Sequence, residues 1–241
     1  MTAAEALVSD PLGESTLETM ALAHRYNAWQ VDRLAPFLGR RVCEIGAGIG
    51  NISRRLAERE PELLVLTDQR PEYLERLRSG FTSRPRVMIE PLTLPDPEAT
   101  RRFREWTLDT VVALNVLEHI PNDRDALESM AGLLAPGGRV VLLVPAMPAL
   151  YGSLDRELGH ARRYDRAGLG RLLSQAGLKV EHLSYFNLVG VLGWWTNARL
   201  RRVPQIPQGQ LAWFDRLVPL LRAEDHVRLP FGQSLIAVGS R

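Results

Sequence analysis

Cysteine and lysine are almost missing from this chain of 241 residues, which holds one of the first, Cys43, and one of the second, Lys179. A lone cysteine excludes internal disulfides and is compatible with a reducing compartment. Placed in an apolar strand, it is a packing residue. The basic residues are otherwise arginine, a bias of genome composition rather than a binding surface. Formal net charge is only +2, so nothing in the charge balance calls for nucleic acid. No apolar run approaches the roughly 20 residues that span a bilayer. Met1 to Thr19 lacks the basic-then-apolar pattern of a signal peptide. A cytoplasmic protein is expected, with a length that suits one α/β domain over 1–241.

What the chain does have is a rhythm. Apolar strands over 41–45, 63–67, 86–90, 110–114 and 140–144 alternate with helical stretches near 51–59, 71–79, 97–105 and 123–134. Such alternation predicts a parallel sheet covered by helices on both faces. Asn122 is placed to cap the 123–134 helix with Asp125 three residues on, and Asp165 and Gly177 bracket a helix over 166–176. A strand at 178–184 and a last one at Ser234 to Val238 complete the pattern. Residues 1–14 are expected as a disordered leader, 15–38 as an N-terminal lid helix, 39–185 as the cofactor-binding core, 186–228 as a helical cap and 229–241 as the last strand.

The most informative stretch is Val42-Cys43-Glu44-Ile45-Gly46-Ala47-Gly48-Ile49-Gly50-Asn51. A strand runs into an acid, then glycines at alternate positions, then a helix. Glycines let the backbone turn sharply and let a ligand lie against bare main chain at a helix N-terminus. That is a nucleotide-binding design. The third glycine of the dinucleotide fingerprint G-x-G-x-x-G would fall at Asn51, and Glu44 sits poorly beside a pyrophosphate. Both departures point away from NAD and toward a cationic, phosphate-free ligand.

The segment Glu44-Ile45-Gly46-Ala47-Gly48-Ile49-Gly50 resembles the first motif of class I S-adenosylmethionine-dependent methyltransferases, close to the small-molecule type 11 and 12 groups. Three more segments follow in the family's order: Leu63 to Asp68, Asp109 to Ile120 with its Leu-Glu-His, and Leu133 to Val140 with its Pro-Gly-Gly. The match covers about Tyr26 to Val144. The resemblance implies a Rossmann-like, seven-stranded, mostly parallel sheet whose last strand is antiparallel, with the 186–228 segment inserted as a cap. It also implies S-adenosylmethionine as cofactor and S-adenosylhomocysteine as product.

Candidate cofactor residues follow. Asp68 stands 22 positions after Gly46, near the roughly 20 at which an acid meets the ribose hydroxyls, with Gln69 beside it. Gly46, Ala47, Gly48 and Asn51 form the turn. Glu44 either orders that turn or faces the ligand's ammonium. Leu92 and Thr93 are placed at the adenine edge by their backbone, since the family's loop aspartate is missing there. Asn115 and Val116 open the loop at the carboxyl end of the fourth strand. Tyr26 and Trp29 lie on a helix that the resemblance folds over the cofactor, and a core-packing stripe is the alternative for both.

Methyl transfer to a hydroxyl needs alignment, exclusion of water and removal of a proton. The polar run Tyr151 to Asp155 and Gly159 to Tyr164 holds a histidine, arginines and tyrosines, enough to bind an anionic or phenolic acceptor. A solvated connection, with an arginine paired to Asp155 or Asp165, is the alternative. His160 is the first candidate base, followed by Tyr164 and His119; Glu118 and His119 alternatively hold the loop. In ubiquinone-type O-methyltransferases a related E-x-x-E-H segment binds a divalent metal. Here its first acid is Asn115, and no metal is assigned.

Phe186 to Trp195 is an apolar run followed by Arg199, Arg201 and Arg202. It suits a lid over an apolar pocket, a peripheral membrane contact through 186–202, or an interface between copies. Runs of this kind resemble those of methyltransferases in polyprenol or natural-product glycan pathways. The expected activity is methylation of a small or lipid-like acceptor, at oxygen. A non-catalytic methyltransferase-like regulator and an NAD-dependent oxidoreductase are the alternatives. The acceptor and the oligomeric state are not legible.

Overall fold

The computed structural model describes residues 11–201 and 207–241. Seven strands lie in the order β3-β2-β1-β4-β5-β7-β6. They are β1 (Arg41–Ile45), β2 (Leu63–Asp68), β3 (Val87–Pro91), β4 (Leu108–Leu114), β5 (Leu134–Pro145), β6 (Lys179–Phe186) and β7 (Ser234–Ser240). β7 runs antiparallel to both neighbours, and the other pairings are parallel. The mostly parallel sheet with an antiparallel last strand is therefore as expected, except that β7 is inserted between β5 and β6 and β6 takes the edge.

The strands alternate their side chains between two apolar layers, as the period of two requires. Cys43, Val65, Val111, Val140 and Leu142 face one layer. Val42, Leu64, Val112, Val141 and Leu143 face the other. Cys43 is fully buried, and burial pushes its thiol far above the ordinary range. Burying both faces makes central strands read as unbroken apolar runs, which is why the sequence located them so closely.

The connecting helices are α3 (Ser53–Ala57), α4 (Pro71–Gly80), α5 (Ala99–Phe103), α6 (Asp123–Leu133), α7 (Ser153–Glu157) and α8 (Arg166–Gln175). Asn122 accepts from the Asp125 N–H at the start of α6, and Asp165 accepts from the Gly168 N–H at the start of α8. Gly177 follows α8 with φ +77°, the left-handed conformation that ends a helix.

Two boundaries move. The leader expected over 1–14 divides: residues 1–10 lie outside the described residues, whereas Pro11 already begins a helix. The single lid helix is two helices, α1 (Pro11–Ala21) and α2 (His24–Leu34), followed by a short 3-10 turn, Ala35–Phe37. Asn27 explains the break. Its Nδ2 donates to the Met20 carbonyl at 2.9 Å, a side-chain bond that closes the end of α1.

The cap consists of α9 (Gly190–Trp195), a π-helical turn over Thr196–Arg201, α10 (Gln208–Leu221) and a 3-10 turn over Arg222–His226. It is tied to α2 rather than standing off the body. Trp29 is fully buried and its Nε1 donates to Asp225 at 2.9 Å. The Tyr26 N–H donates to Asp215 at 2.9 Å, and Arg222 pairs with Asp32 at 2.9 Å. Trp29 is thus core, as the packing-stripe alternative held. The helix before the first strand and the helices after the sixth form one roof over the carboxyl ends of β1 and β4.

Candidate active site

At the end of β1 the chain turns with Gly46 at φ +67° and Gly48 at φ +55°, a backbone region that side chains rarely adopt. The Ala47 N–H donates to the Thr67 carbonyl at 2.8 Å, and the Gly48 N–H donates to Asp68 Oδ2 at 2.8 Å. The acid at the tip of β2 therefore holds the glycine turn. It still faces the cleft, with a further bond from the Arg70 N–H to Oδ1 at 3.0 Å. Each carboxylate oxygen keeps a lone pair for an incoming hydroxyl. Burial pushes the Asp68 carboxyl above its ordinary range, and the backbone N–H bonds oppose that rise.

A Cβ at Gly46 would lie 2.6 Å from Val116 Cγ2, so side-chain atoms there collide with the far wall of the same cleft. Gly46→Val is expected to leave the circular dichroism spectrum near wild type while abolishing measurable cofactor binding by calorimetry. Binding at wild-type affinity would show that the loop has been misread.

One cleft of about 530 Å³ runs from this turn to the cap. Of the expected cofactor residues, Tyr26, Gly46, Gly48, Asp68, Gln69, Leu92, Asn115 and Val116 line it. Four do not. Glu44 is buried behind the turn, where burial raises its carboxyl to about 8 and Oε2 has no hydrogen-bond partner among the described residues. Its position fits the ordering role. Ala47 is turned into the apolar layer. Asn51 donates Nδ2 to the Leu17 carbonyl at 2.8 Å, fastening α1 over the turn instead of reaching the cleft. Thr93, placed at the adenine edge by its backbone alone, is exposed and is not among the lining residues, whereas Leu94 is. Tyr26 stacks on Phe186 at 6.1 Å, as the packing alternative held, and it also lines the cleft.

The other end of the cleft is built from the 3-10 turn Leu117–His119 after β4 and the segment around α7. Asp155 is its hub and is fully buried. Oδ1 accepts from His160 Nδ1 at 3.0 Å and from Arg163 Nε at 2.6 Å. Oδ2 accepts from the Gly152 N–H at 2.9 Å and from Trp194 Nε1 of α9 at 3.2 Å. Burial alone would raise the Asp155 carboxyl, but the His160 bond and the Arg163 charge outweigh it and hold it below the usual range. An ionised Asp155 offers no proton, so Nδ1 of His160 carries the hydrogen, and in the neutral ring Nε2 carries the lone pair.

That Nε2 faces Glu118 Oε1 at 3.9 Å, and the His119 ring stands edge-on to His160 at 4.8 Å. Glu118 is wholly buried, neither of its carboxylate oxygens has a hydrogen-bond partner among the described residues, and burial raises its carboxyl to about 8. Arg163 stacks over Trp194 at 4.5 Å. The arginine–Asp155 pairing held as the bland alternative does form, but in the interior, where it positions His160 rather than resting in solvent.

Tyr164 does not join this cluster. Its hydroxyl donates to Asp123 Oδ2 at 3.1 Å, outside the residues lining the cleft, and burial drives its proton affinity well above a phenol's ordinary range. It is unsuited to serve as a base. His119 and His160 both line the cleft. The sequence reading offered a lid over an apolar pocket here but named none of its lining residues: Trp194, Asn197, Gln210, Leu211 and Phe214 line the cleft, as does Gln233 before β7. Trp194 was visible as part of an apolar run, but nothing local marked which of Trp194 and Trp195 turns inward.

Comparison with known proteins agrees with this geometry. Residues 43–140 match a family described as a methyltransferase domain. A tRNA U34 carboxymethyltransferase of Syntrophotalea carbinolica is 33% identical over 114 residues, which is 45% of this chain and 33% of that protein. The chain thus spans about a third of that relative's length. A trans-aconitate 2-methyltransferase of Rhodococcus jostii is 29% identical over 232 residues, 85% of each chain. Among solved structures, the complex of the Haloferax volcanii Trm112 methyltransferase activator with a methyltransferase superposes with a TM-score of 0.65, at 16% identity and over 97% of this chain and 98% of that one. This last likeness is one of fold.

Proposed function

We propose, for a chain that belongs to the class I S-adenosylmethionine-dependent methyltransferases, that it methylates a small or lipid-like acceptor at oxygen. The observation that carries the reading is the single cleft joining Asp68 and the glycine turn to His119 and His160. A donor and an acceptor can therefore meet inside it under one roof.

The residues present fit the cofactor. Asp68 would take the ribose hydroxyls, the bare backbone of Gly46 and Gly48 would admit the ligand, Leu92 and Leu94 would flank the adenine, and Asn115 would meet the amino-acid end. When bound, S-adenosylmethionine supplies an electrophilic methyl carbon on a sulfonium. The chain's own part is to orient the acceptor, keep water out and activate its hydroxyl. Activation falls to the end of the cleft where Asp155 fixes the His160 tautomer at 3.0 Å and leaves Nε2 available. Proximity in such a dry site replaces a bimolecular encounter by an oriented one.

The roof supports an acceptor with apolar surface. Trp194, Leu211 and Phe214 turn toward the cleft, while Leu192, Trp195 and Trp213 on the outer side are 69%, 49% and 64% exposed. An apolar outer face beside the cleft suits an acceptor delivered from a lipid surface.

Calorimetry tests the reading. S-adenosylhomocysteine is expected to bind with one site per chain, and NAD is not. Mass spectrometry of metabolite and lipid extracts incubated with labelled S-adenosylmethionine should then show a labelled O-methyl product. Absence of S-adenosylhomocysteine binding, or binding of NAD instead, overturns the proposal. Binding without transfer to any extract would favour the regulator.

A further inference from the structure

The structure assigns a divalent-cation site to Glu118, His119 and His160, at the acceptor end of the cleft. Each of the three offers a ligand atom, and these atoms lie within 4.8 Å of one another. The inference rests on the methyltransferase reading for its purpose, though not for its geometry.

Three independent features point to an ion. Glu118 has 0% exposure, and both of its carboxylate oxygens lack a hydrogen-bond partner among the described residues. Ionising a desolvated carboxyl without hydrogen bonds is costly, and a bound cation would offset that cost. His160 is held as metal-ligating histidines are, with one ring nitrogen donating to a carboxylate and the other left as a ligand. That carboxylate, Asp155, is itself fixed by Arg163, the Gly152 N–H and Trp194. Finally, His119 and His160 line the cleft, so an ion between them would have an open position toward the acceptor.

The third ligand comes from an unexpected place. Position 115, where an acid would complete a local motif, is Asn115, and the ligand is supplied 45 or so residues later by the segment after β5. Two imidazoles and one carboxylate suit zinc or a similar first-row ion, whereas magnesium and calcium prefer all-oxygen sets. Tetrahedral ligands at about 2.0–2.2 Å stand about 3.4 Å apart, so the widest pair of ligand atoms would close by up to about 1.4 Å through side-chain rotation.

Charge favours the arrangement. The ion and Arg163 stand against Glu118 and Asp155, leaving one net positive charge, which an acceptor oxyanion cancels. The ion would lower the pKa of the acceptor hydroxyl, whose proton passes to solvent. The oxygen then forms its bond to the methyl carbon as the sulfur–carbon bond breaks, and S-adenosylhomocysteine leaves. His160 would act in that case as a ligand rather than as a free base.

Full-length protein, stripped with chelator and dialysed against zinc chloride, tests this by elemental analysis and competition titration. One equivalent of zinc is expected in the wild type and none in Glu118→Gln or His160→Gln. Asp155→Asn should weaken zinc binding by about 10–100-fold, because it orients a ligand without touching the ion. S-adenosylhomocysteine calorimetry on the same samples keeps lost metal distinct from lost fold. The site is refuted if the wild type binds no zinc, or if Glu118→Gln and His160→Gln retain the equivalent. Chelator-insensitive methyl transfer would refute the metal while leaving the methyltransferase reading intact; failure of S-adenosylhomocysteine to bind would strike that reading instead.

Discussion

Replacing His160 by alanine is expected to cut methyl transfer by about 10²–10⁴-fold while leaving S-adenosylhomocysteine affinity unchanged. The ring lines the acceptor end of the cleft, and its Nε2 faces Glu118 at 3.9 Å. Whether it takes the hydroxyl proton itself or holds an ion that does the activating, its loss falls on the transfer step and not on cofactor binding. The fold should survive, because Asp155 keeps Arg163 at 2.6 Å, the Gly152 N–H at 2.9 Å and Trp194 at 3.2 Å. Tyr164→Phe is the informative contrast. Its hydroxyl is spent on Asp123, so turnover should stay within a few-fold of wild type and stability should fall by about 1 kcal/mol. Single-turnover kinetics with the identified acceptor, beside chemical denaturation, measures both. A His160→Ala enzyme that reacts at the wild-type rate would remove His160 from the mechanism. His119→Ala is expected to lower both binding and turnover if that side chain also orders the loop after β4.

Asp68→Ala is expected to weaken S-adenosylhomocysteine by on the order of 2–4 kcal/mol, or about 30- to 700-fold. Two effects combine in that loss. The ribose hydroxyls lose a charged acceptor, and the glycine turn loses the bond that sets it, from the Gly48 N–H at 2.8 Å. The carboxylate is already desolvated in the free protein, so it binds without a further desolvation cost. Titration calorimetry reads the change directly. Unchanged affinity would mean that the ribose lies elsewhere.

The strands and the cofactor turn were legible because their causes are local. Val111 and Val112 look to opposite apolar layers, so β4 reads as an apolar run without knowledge of what covers it. The glycine turn is written in three alternate residues whose φ values are all positive. Where the reading slipped, a distant partner had decided. Asn51 was taken for a cofactor contact, but its amide goes to the Leu17 carbonyl of a helix far upstream. The lid helix was read through Ala23 because periodicity continues there, whereas the Asn27 side chain closes α1 at Met20.

The sequence by itself determined the sheet, its covering by helices and the cofactor half of the cleft, because residue type and immediate neighbours set backbone conformation and burial there. Tertiary structure alone decided the acceptor half. Glu118 follows β4, Asp155 lies in α7 with His160 just beyond it, and Trp194 arrives on α9, so no spacing in the chain announces their meeting. Their chemistry comes from being packed together out of water: a carboxylate without partners, a histidine held in one tautomer, an arginine neutralised by an aspartate. Burial and convergence are properties of the folded chain. A residue's ordinary chemistry is written in its identity; the shifted chemistry of this cluster exists only once the sheet has brought it under the cap.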